Sequence, residues 1–145
     1  MLAYPPKCIQ MRVHIALKRL KLHDLWLFRS NSDERTITHR LAMYLQDEFP
    51  TWNVDCEYNR NQYEVKKLSK DAVRPDIIIH HRRTHRNLLV IEAKKTNNRA
   101  DDQEKLEKYL HELNYRYALF LRFNTGKSVP ETLRIVKELR WIPTT

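Results

Sequence analysis

The chain has almost no glycine: Gly126 is the only one among 145 residues. Loops that cradle phosphates and turns that bind dinucleotides need several glycines at fixed spacing, because their backbone adopts positive φ angles and lies close to the ligand. The sequence therefore excludes nucleotide-binding folds of those kinds.

Cysteine is also scarce, with Cys8 and Cys56 alone. Two cysteines form neither a disulfide framework nor a zinc cluster, and they fit a reducing cytoplasm, which is the location we expect. No apolar run approaches the ~20 residues that span a bilayer. Charged residues interrupt every apolar stretch near the N-terminus, so the sequence predicts neither a transmembrane helix nor a signal peptide.

Acidic residues are fewer than basic ones: Asp and Glu total 18, Lys and Arg total 27, and the net charge is +9. A small protein this basic usually binds a polyanion, most often nucleic acid. Solubility alone is the simpler explanation of the charge. The length suits one domain with a hydrophobic core.

Residues 1–30 are predicted to be an N-terminal extension. Apolar residues recur there at helical spacing, at Ile9, Val13, Leu17 and Leu20. This pattern favours an amphipathic helix that docks on the rest of the chain or forms a dimer contact. Met11 is an alternative start, which would leave residues 1–10 as an unstructured extension.

Residues 31–145 are predicted to form one α/β domain. Asn31 is the expected cap of its first helix, with Glu34 closing a capping box. A tight hairpin and then a helical crossover follow, and the crossover implies a parallel strand pair. The predicted helices cover 31–49, 100–114 and 130–140, and the predicted strands cover 52–58, 75–81, 87–94 and 117–123.

Charged residues lie inside two apolar strands of the predicted hairpin. A hairpin centred near Thr84 places Asp76 opposite Glu92, and Lys94 lies on the same face as Glu92. Two carboxylates about 5 Å apart repel by roughly 3 kcal/mol at an effective dielectric of ~20. A divalent cation between them is the simplest reason for such a pair. A structural ion pair with Lys94 is the alternative.

These motifs, Pro75-Asp76 on one strand and Glu92-Ala93-Lys94 on the next, resemble the PD-(D/E)XK nuclease superfamily, which includes restriction endonucleases and Holliday-junction resolvases. The resemblance covers roughly residues 31–123 and implies a restriction-endonuclease-like αβββαβ core, a small mixed sheet flanked by helices. It implies Mg²⁺, with Mn²⁺ able to substitute, held by Asp76, Glu92 and the backbone carbonyl of Ala93. It also implies that Lys94 orients or activates the attacking water, or stabilises charge.

Glu34 is a further expected metal ligand. It lies on the helical stripe that faces the sheet, where a carboxylate is costly unless it is paired. The resemblance implies that such a glutamate completes the metal site. The capping box is the competing interpretation.

Several basic and polar residues are candidate contacts to nucleic acid, and for each a solvated surface position is the alternative. Arginine suits phosphates and guanine edges. The resemblance offers a phosphate contact for Gln103, although the tyrosine expected four residues later is Tyr109, six later. The histidines around the hairpin tip fit no zinc pattern. The candidates are Arg82, Arg83 and Arg86 at the hairpin tip, with Arg60, Lys95 and Gln103.

The function expected from these features is a metal-dependent nuclease that hydrolyses phosphodiester bonds. DNA is the expected substrate, and RNA is an alternative. One alternative is a catalytically silent nucleic-acid-binding module on the same fold. Another is a dimeric, junction-selective resolvase. The sequence leaves open a homodimer and a protein partner that supplies specificity.

Overall fold

A computed structural model describes residues 3–57, 74–96, 98, 101–126 and 134–144, with the backbone of four two-residue strands between 60 and 72. The helices are α1 Lys7–Arg29, α2 Glu34–Glu48 and α3 Gln103–Glu112. The strands are β1 Asn53–Cys56, β2 Arg60–Asn61, β3 Glu64–Val65, β4 Lys67–Leu68, β5 Asp71–Ala72, β6 Ile77–His80, β7 Asn87–Lys95, β8 Tyr115–Phe123 and β9 Val136–Ile142.

A five-stranded mixed sheet in the order β1-β6-β7-β8-β9 organises the chain. Strands β7 and β8 are parallel and are joined through α3, as the crossover pattern predicted, while the other neighbours are antiparallel. The pairs β2–β3 and β4–β5 form two separate antiparallel ladders. The predicted α/β class with a small mixed sheet is therefore confirmed.

The two faces of the sheet are covered by different helices. One face carries Ile77, Ile79 and Ile91 and belongs to the core that α1 and α2 complete. The other face carries Ile78 and Val90 and packs with apolar residues of α3. Because side chains alternate along a strand, Glu92 lies on the same face as Val90 and therefore faces α3.

Helix α1 is part of the main core. Val13, Ala16 and Leu20 are fully buried in it, so docking on the body is the arrangement that residues 7–29 adopt. The backbone carbonyl of Phe28 accepts a 2.8 Å hydrogen bond from the N–H of Gly126. Gly126 has a φ of 119°, a conformation that other residues rarely adopt.

The start of α2 differs from the prediction. The cap is Asp33, whose Oδ1 accepts a 2.8 Å hydrogen bond from the N–H of Thr36, and Asn31 has a φ of 56°. Glu34 is then the first helical residue and not the third, so the predicted capping box is wrong. Asp33 lies two residues closer to the helix than Asn31 and satisfies the N–H of Thr36, so Glu34 is available for other contacts.

The predicted last helix is also wrong where the structure describes it. Residues 136–142 form β9, which pairs antiparallel with β8 from Phe123↔Val136 to Ala118↔Ile142. Without β9, the apolar strand β8 would be an exposed edge with unpaired backbone groups. Ladder pairing outweighs the helical spacing of Leu133, Val136 and Leu139, and residues 130–133 lie outside the described residues.

Candidate active site at the carboxyl end of a parallel strand pair

Asp76 and Glu92 come together as the hairpin prediction required. The register Ile77↔Ile91 places Asp76, one residue before β6, opposite Glu92 in β7. Asp76 is half-buried, and its Oδ2 accepts a 2.8 Å hydrogen bond from the backbone N–H of Ala93. Glu92 is only 1% exposed. The fold therefore holds a buried carboxylate against a second one near the end of β7.

Glu92 has two partners from α3. Its Oε1 accepts a 3.0 Å hydrogen bond from the hydroxyl of Tyr109 and lies 3.3 Å from Lys105 Nζ. Burial and the charge of Asp76 raise the pKa of Glu92 well above its usual range, while Lys105 opposes that rise. Burial and Glu92 also raise the pKa of Tyr109, so its hydroxyl stays a donor.

Sequence reasoning did not assign these two residues to Glu92. In the sequence, Lys105 is as consistent with a phosphate contact as with an ordinary surface lysine, and Tyr109 is one of the apolar residues at helical spacing in the predicted helix 100–114. Their spacing of four residues, which puts both on one helix face, is the signal that could have paired them.

Lys94 lies beside a second acidic residue, Asp102, with 3.4 Å between Nζ and Oδ2. Burial disfavours the ammonium, but the charges of Asp102, Asp76 and Glu34 outweigh it and raise the pKa of Lys94. Lys94 is thus a permanent cation at the site. Asp102 was not predicted, although it caps α3 without a side-chain cap bond and so is free to face Lys94.

Glu34 contacts the loop that follows β7. Its Oε1 and Oε2 lie 3.3 and 3.4 Å from Asn98 Nδ2, and its charge acts on Lys94. Next to it, Lys95 Nζ donates a 3.2 Å hydrogen bond to Asn31 Oδ1. Glu34 is therefore close enough to act on Lys94, and its role as a metal ligand stays a prediction.

The N-termini of α2 and α3 both begin at this edge of the sheet. Glu34 opens α2, and Asp102 is the residue before α3. A helix N-terminus carries a partial positive charge that attracts anions such as phosphate. In α/β folds, ligands bind outside the carboxyl ends of the strands. The position suits an anionic substrate.

Mg²⁺ in proteins binds one or two carboxylates and keeps several waters. Asp76 and Glu92 supply two hard oxygen donors, and the Ala93 carbonyl is adjacent in sequence. Among the residues that the structure describes, no three His, Cys, Asp or Glu side chains converge as a ready metal cage. The residues fit an open Mg²⁺ site with few protein ligands, and they do not fit a closed structural site.

The predicted arginines of the hairpin tip lie at the far end of β6 and β7. Arg82 binds Asp55, with Nε 2.9 Å from Oδ2, and His80 Nε2 lies 2.7 Å from that oxygen. The Arg86 guanidinium lies 5.2 Å from the centre of the Trp52 ring. Five residues of strand separate this end from Glu92, or about 17 Å at ~3.3 Å per residue.

The hydrogen bonds to Asp55 have an electrostatic consequence. Against the opposing effect of burial, His80 and Arg82 lower the pKa of Asp55 to about 2. This cluster stabilises the β1–β6 end of the sheet. It holds Arg82 in an ion pair with Asp55 while about half of the Arg82 side chain, 53%, stays exposed, so the predicted contact to nucleic acid stays a prediction.

Three other predicted residues have separate outcomes. The Nε2 of Gln103 donates a 2.8 Å hydrogen bond to Glu107, on its own helix, and not toward the carboxylates. Arg83 is exposed at the hairpin tip with a φ of 61°. The side chain of Arg60 lies outside the described residues.

Comparison of the chain with protein-family models, curated proteins and solved structures finds no match. Within the part of the chain that the structure describes, no helix is long and apolar enough to cross a membrane.

Proposed function

We propose that the chain is a Mg²⁺-dependent nuclease with a PD-(D/E)XK, restriction-endonuclease-like core that hydrolyses phosphodiester bonds in DNA. The observation that carries the proposal is the pair Asp76–Glu92 with Lys94 beside it, at the carboxyl end of β7. Burial of two acidic side chains against each other opposes ionisation and raises the pKa of Glu92, and groups perturbed in this way are concentrated at functional sites.

Each side chain has a chemical task in this proposal. Asp76, Glu92 and the Ala93 carbonyl would hold the cation. When bound, Mg²⁺ lowers the pKa of the attacking water, neutralises charge on the phosphate and assists the leaving oxygen. Lys94 keeps its proton, so it orients the water and stabilises negative charge but does not act as a base.

Surrounding residues prepare this cluster. Tyr109 and Lys105 fix the orientation of Glu92 and stabilise its ionised form. The N-termini of α2 and α3 attract the scissile phosphate. The net charge of +9 attracts the rest of the nucleic acid. Glu34, held by Asn98 and close enough to raise the pKa of Lys94, is the further carboxylate that would complete the ligand set.

A second candidate function is a nucleic-acid-binding module without turnover. The observation that favours it is two ion pairs, between Lys105 and Glu92 and between Lys94 and Asp102. These pairs neutralise Glu92 and Asp102 without a metal ion. In this case the basic surface would bind nucleic acid and no bond would be cut.

The test is cleavage of a substrate panel with Mg²⁺, with Mn²⁺ and with EDTA. The panel holds linear duplex, supercoiled plasmid, single strand, flap, four-way junction and RNA. Asp76→Asn and Lys94→Met are the site variants, and Lys108→Met, on the exposed face of α3, is the matched control. The proposal expects metal-dependent cutting that only the site variants lose.

Other outcomes decide between the alternatives. A strong preference for the four-way junction, with a dimer in solution, would select the resolvase. Salt-sensitive binding without cutting of any substrate would select the silent module. Cutting that survives in both site variants would disprove the proposed site.

A further inference from the structure

A groove of about 660 Å³ lies between α1 and β9, which is the terminal strand of the five-stranded sheet. The described residues that line it include no Asp or Glu. They include four cations, two from α1 and two from the start of β9, and these are Lys18, Lys21, Arg134 and Lys137. The wall of the groove therefore carries charge of one sign.

The four groove cations lack acidic partners. Arg19, the neighbour of Lys18 in sequence, pairs with Asp47 at 2.7 Å, whereas none of the groove cations forms an ion pair with a described residue. Three of them are exposed, and Lys21 is half-buried, so all four can reach a ligand. Cations that converge without a partner repel one another, and a bound anion removes that repulsion.

One end of the groove lies at the edge of the sheet that carries the proposed active site. Val136 of β9 pairs with Phe123 of β8, which pairs with Lys95 of β7, three residues beyond Glu92. Two strand spacings of ~4.8 Å put Val136 about 10 Å from Lys95. Helix α1 ends at the same edge, where the Phe28 ring lies 5.4 Å from that of Phe123. The carboxylates face α3, and the groove continues from their edge along the α1 side.

The length of the groove suits a short run of phosphates. Its wall on α1 extends from Lys21 back to His14, about 10 Å at ~1.5 Å per residue, and Val136 to Leu139 cover a similar length of β9. One strand of B-form DNA carries a phosphate every ~3.4 Å, so about three phosphates fit beside the four cations. Val136 and Leu139 are half-buried and add apolar surface between the cations, which the sugars can contact.

We infer that this groove binds the sugar-phosphate backbone of one nucleic-acid strand where that strand continues beyond the active-site edge, with its phosphates on the four groove cations. The inference rests on the proposed function for its substrate class and names a contact region that does not use the carboxylates. A second copy of the chain would bring the same cations and be repelled. An acidic protein segment is the competing occupant, and continuity with the active-site edge favours nucleic acid.

The first experiment is lysine footprinting of the wild-type chain in EDTA. The protein is acetylated with and without a DNA single strand or a DNA duplex, and mass spectrometry gives the rate at each lysine. Lys18, Lys21 and Lys137 should react about fivefold more slowly with either DNA, because each binds a phosphate. Lys7 is the internal control, since it is exposed on the same helix, eleven residues or about 16 Å from Lys18, and its rate should not change.

The second experiment measures DNA affinity in EDTA for charge-removing variants. Lys18→Gln and Lys137→Gln should each weaken binding about fivefold and lower the slope of log affinity against log salt by about one. Lys7→Gln, the matched control, should weaken binding less than about twofold. Asp76→Asn keeps the groove and should bind DNA through the same protected lysines as the wild type.

The outcomes separate this inference from the nuclease proposal. Protected groove lysines in a chain that cuts no substrate would support the groove and count against the nuclease. Metal-dependent cutting with groove lysines no more protected than Lys7 would overturn the groove, as would equal effects of Lys137→Gln and Lys7→Gln. Protection by polyglutamate as strong as by DNA at equal charge would assign the groove to an acidic protein segment and overturn the inference.

Discussion

The hydroxyl of Tyr109 donates a 3.0 Å hydrogen bond to Oε1 of Glu92, inside the sheet–α3 interface. Tyr109→Phe keeps the ring and removes this donor. We expect a loss of about 1 kcal/mol in unfolding free energy and a further rise in the pKa of Glu92, since its ionised form loses a partner. Urea unfolding measures the first effect, and the acidic limb of the cleavage pH profile, moved to higher pH, measures the second. An unchanged limb and unchanged stability would show that the bond is unimportant.

Asp76→Asn separates a structural role from a functional one. The asparagine oxygen can still accept the Ala93 N–H, while the negative charge beside Glu92 is removed. In EDTA, unfolding free energy should stay equal or rise by about 1 kcal/mol, because carboxylate repulsion disappears. Cleavage should fall at least about a hundredfold. Lower stability with full activity would instead assign Asp76 to a structural ion pair.

Lys105→Ala and Lys108→Ala form a matched pair on α3. Lys105 Nζ lies 3.3 Å from Glu92, whereas Lys108 is exposed. Both changes should lower the salt dependence of nucleic-acid binding by a similar amount, because each removes one positive charge. Only Lys105→Ala should reduce the cleavage rate several-fold and shift its pH dependence. Equal cleavage by the two variants would contradict a role for Lys105 at Glu92.

Glu92 should make the metal-free protein less stable as pH rises. Its pKa is raised in the folded state, so its contribution is full below the ordinary value of about 4.5 and is lost as pH increases through the folded pKa. Glu92→Gln should remove this decline. Mg²⁺ at about a hundred times its Kd should add about 2.7 kcal/mol to the wild type and nothing to Glu92→Gln. Thermal unfolding across pH, with Mg²⁺ or EDTA, measures both, and equal Mg²⁺ effects in the two proteins would disprove this site.

Asp55 should govern stability in acid. Its pKa is lowered to about 2, so its contribution is full above the ordinary value of 3.8 and is lost as pH falls through 2. This contribution amounts to about 2 kcal/mol. The difference in unfolding free energy between wild type and Asp55→Asn should therefore shrink between about pH 4 and pH 2. A difference that stays constant over this range would show that the ion pair with His80 and Arg82 does not stabilise the fold.

The hairpin and the crossover could be predicted because their signals are local. Two β-branched runs around a polar tip fix the register Ile77↔Ile91, and that register alone brings Asp76 to Glu92. The strand that begins at Val136 could not be predicted, because its apolar residues also fit helical spacing. Pairing with the otherwise free edge of β8 makes this segment a strand. The partners Tyr109 and Asp102 were missed for a similar reason, since they reach the site only through the packing of α3.

The sequence by itself determined the α/β class, the parallel strand pair and the meeting of Asp76 with Glu92, because alternation and turn position act over a few residues. Only the tertiary structure decided which residues surround that pair. In the folded chain, Lys105 and Tyr109 contact Glu92, and Asp33 caps α2 in place of the predicted capping box with Glu34. The hairpin tip lies away from the carboxylates. Those contacts join residues distant in the chain, and they depend on how α2 and α3 pack on the sheet, which no local pattern encodes.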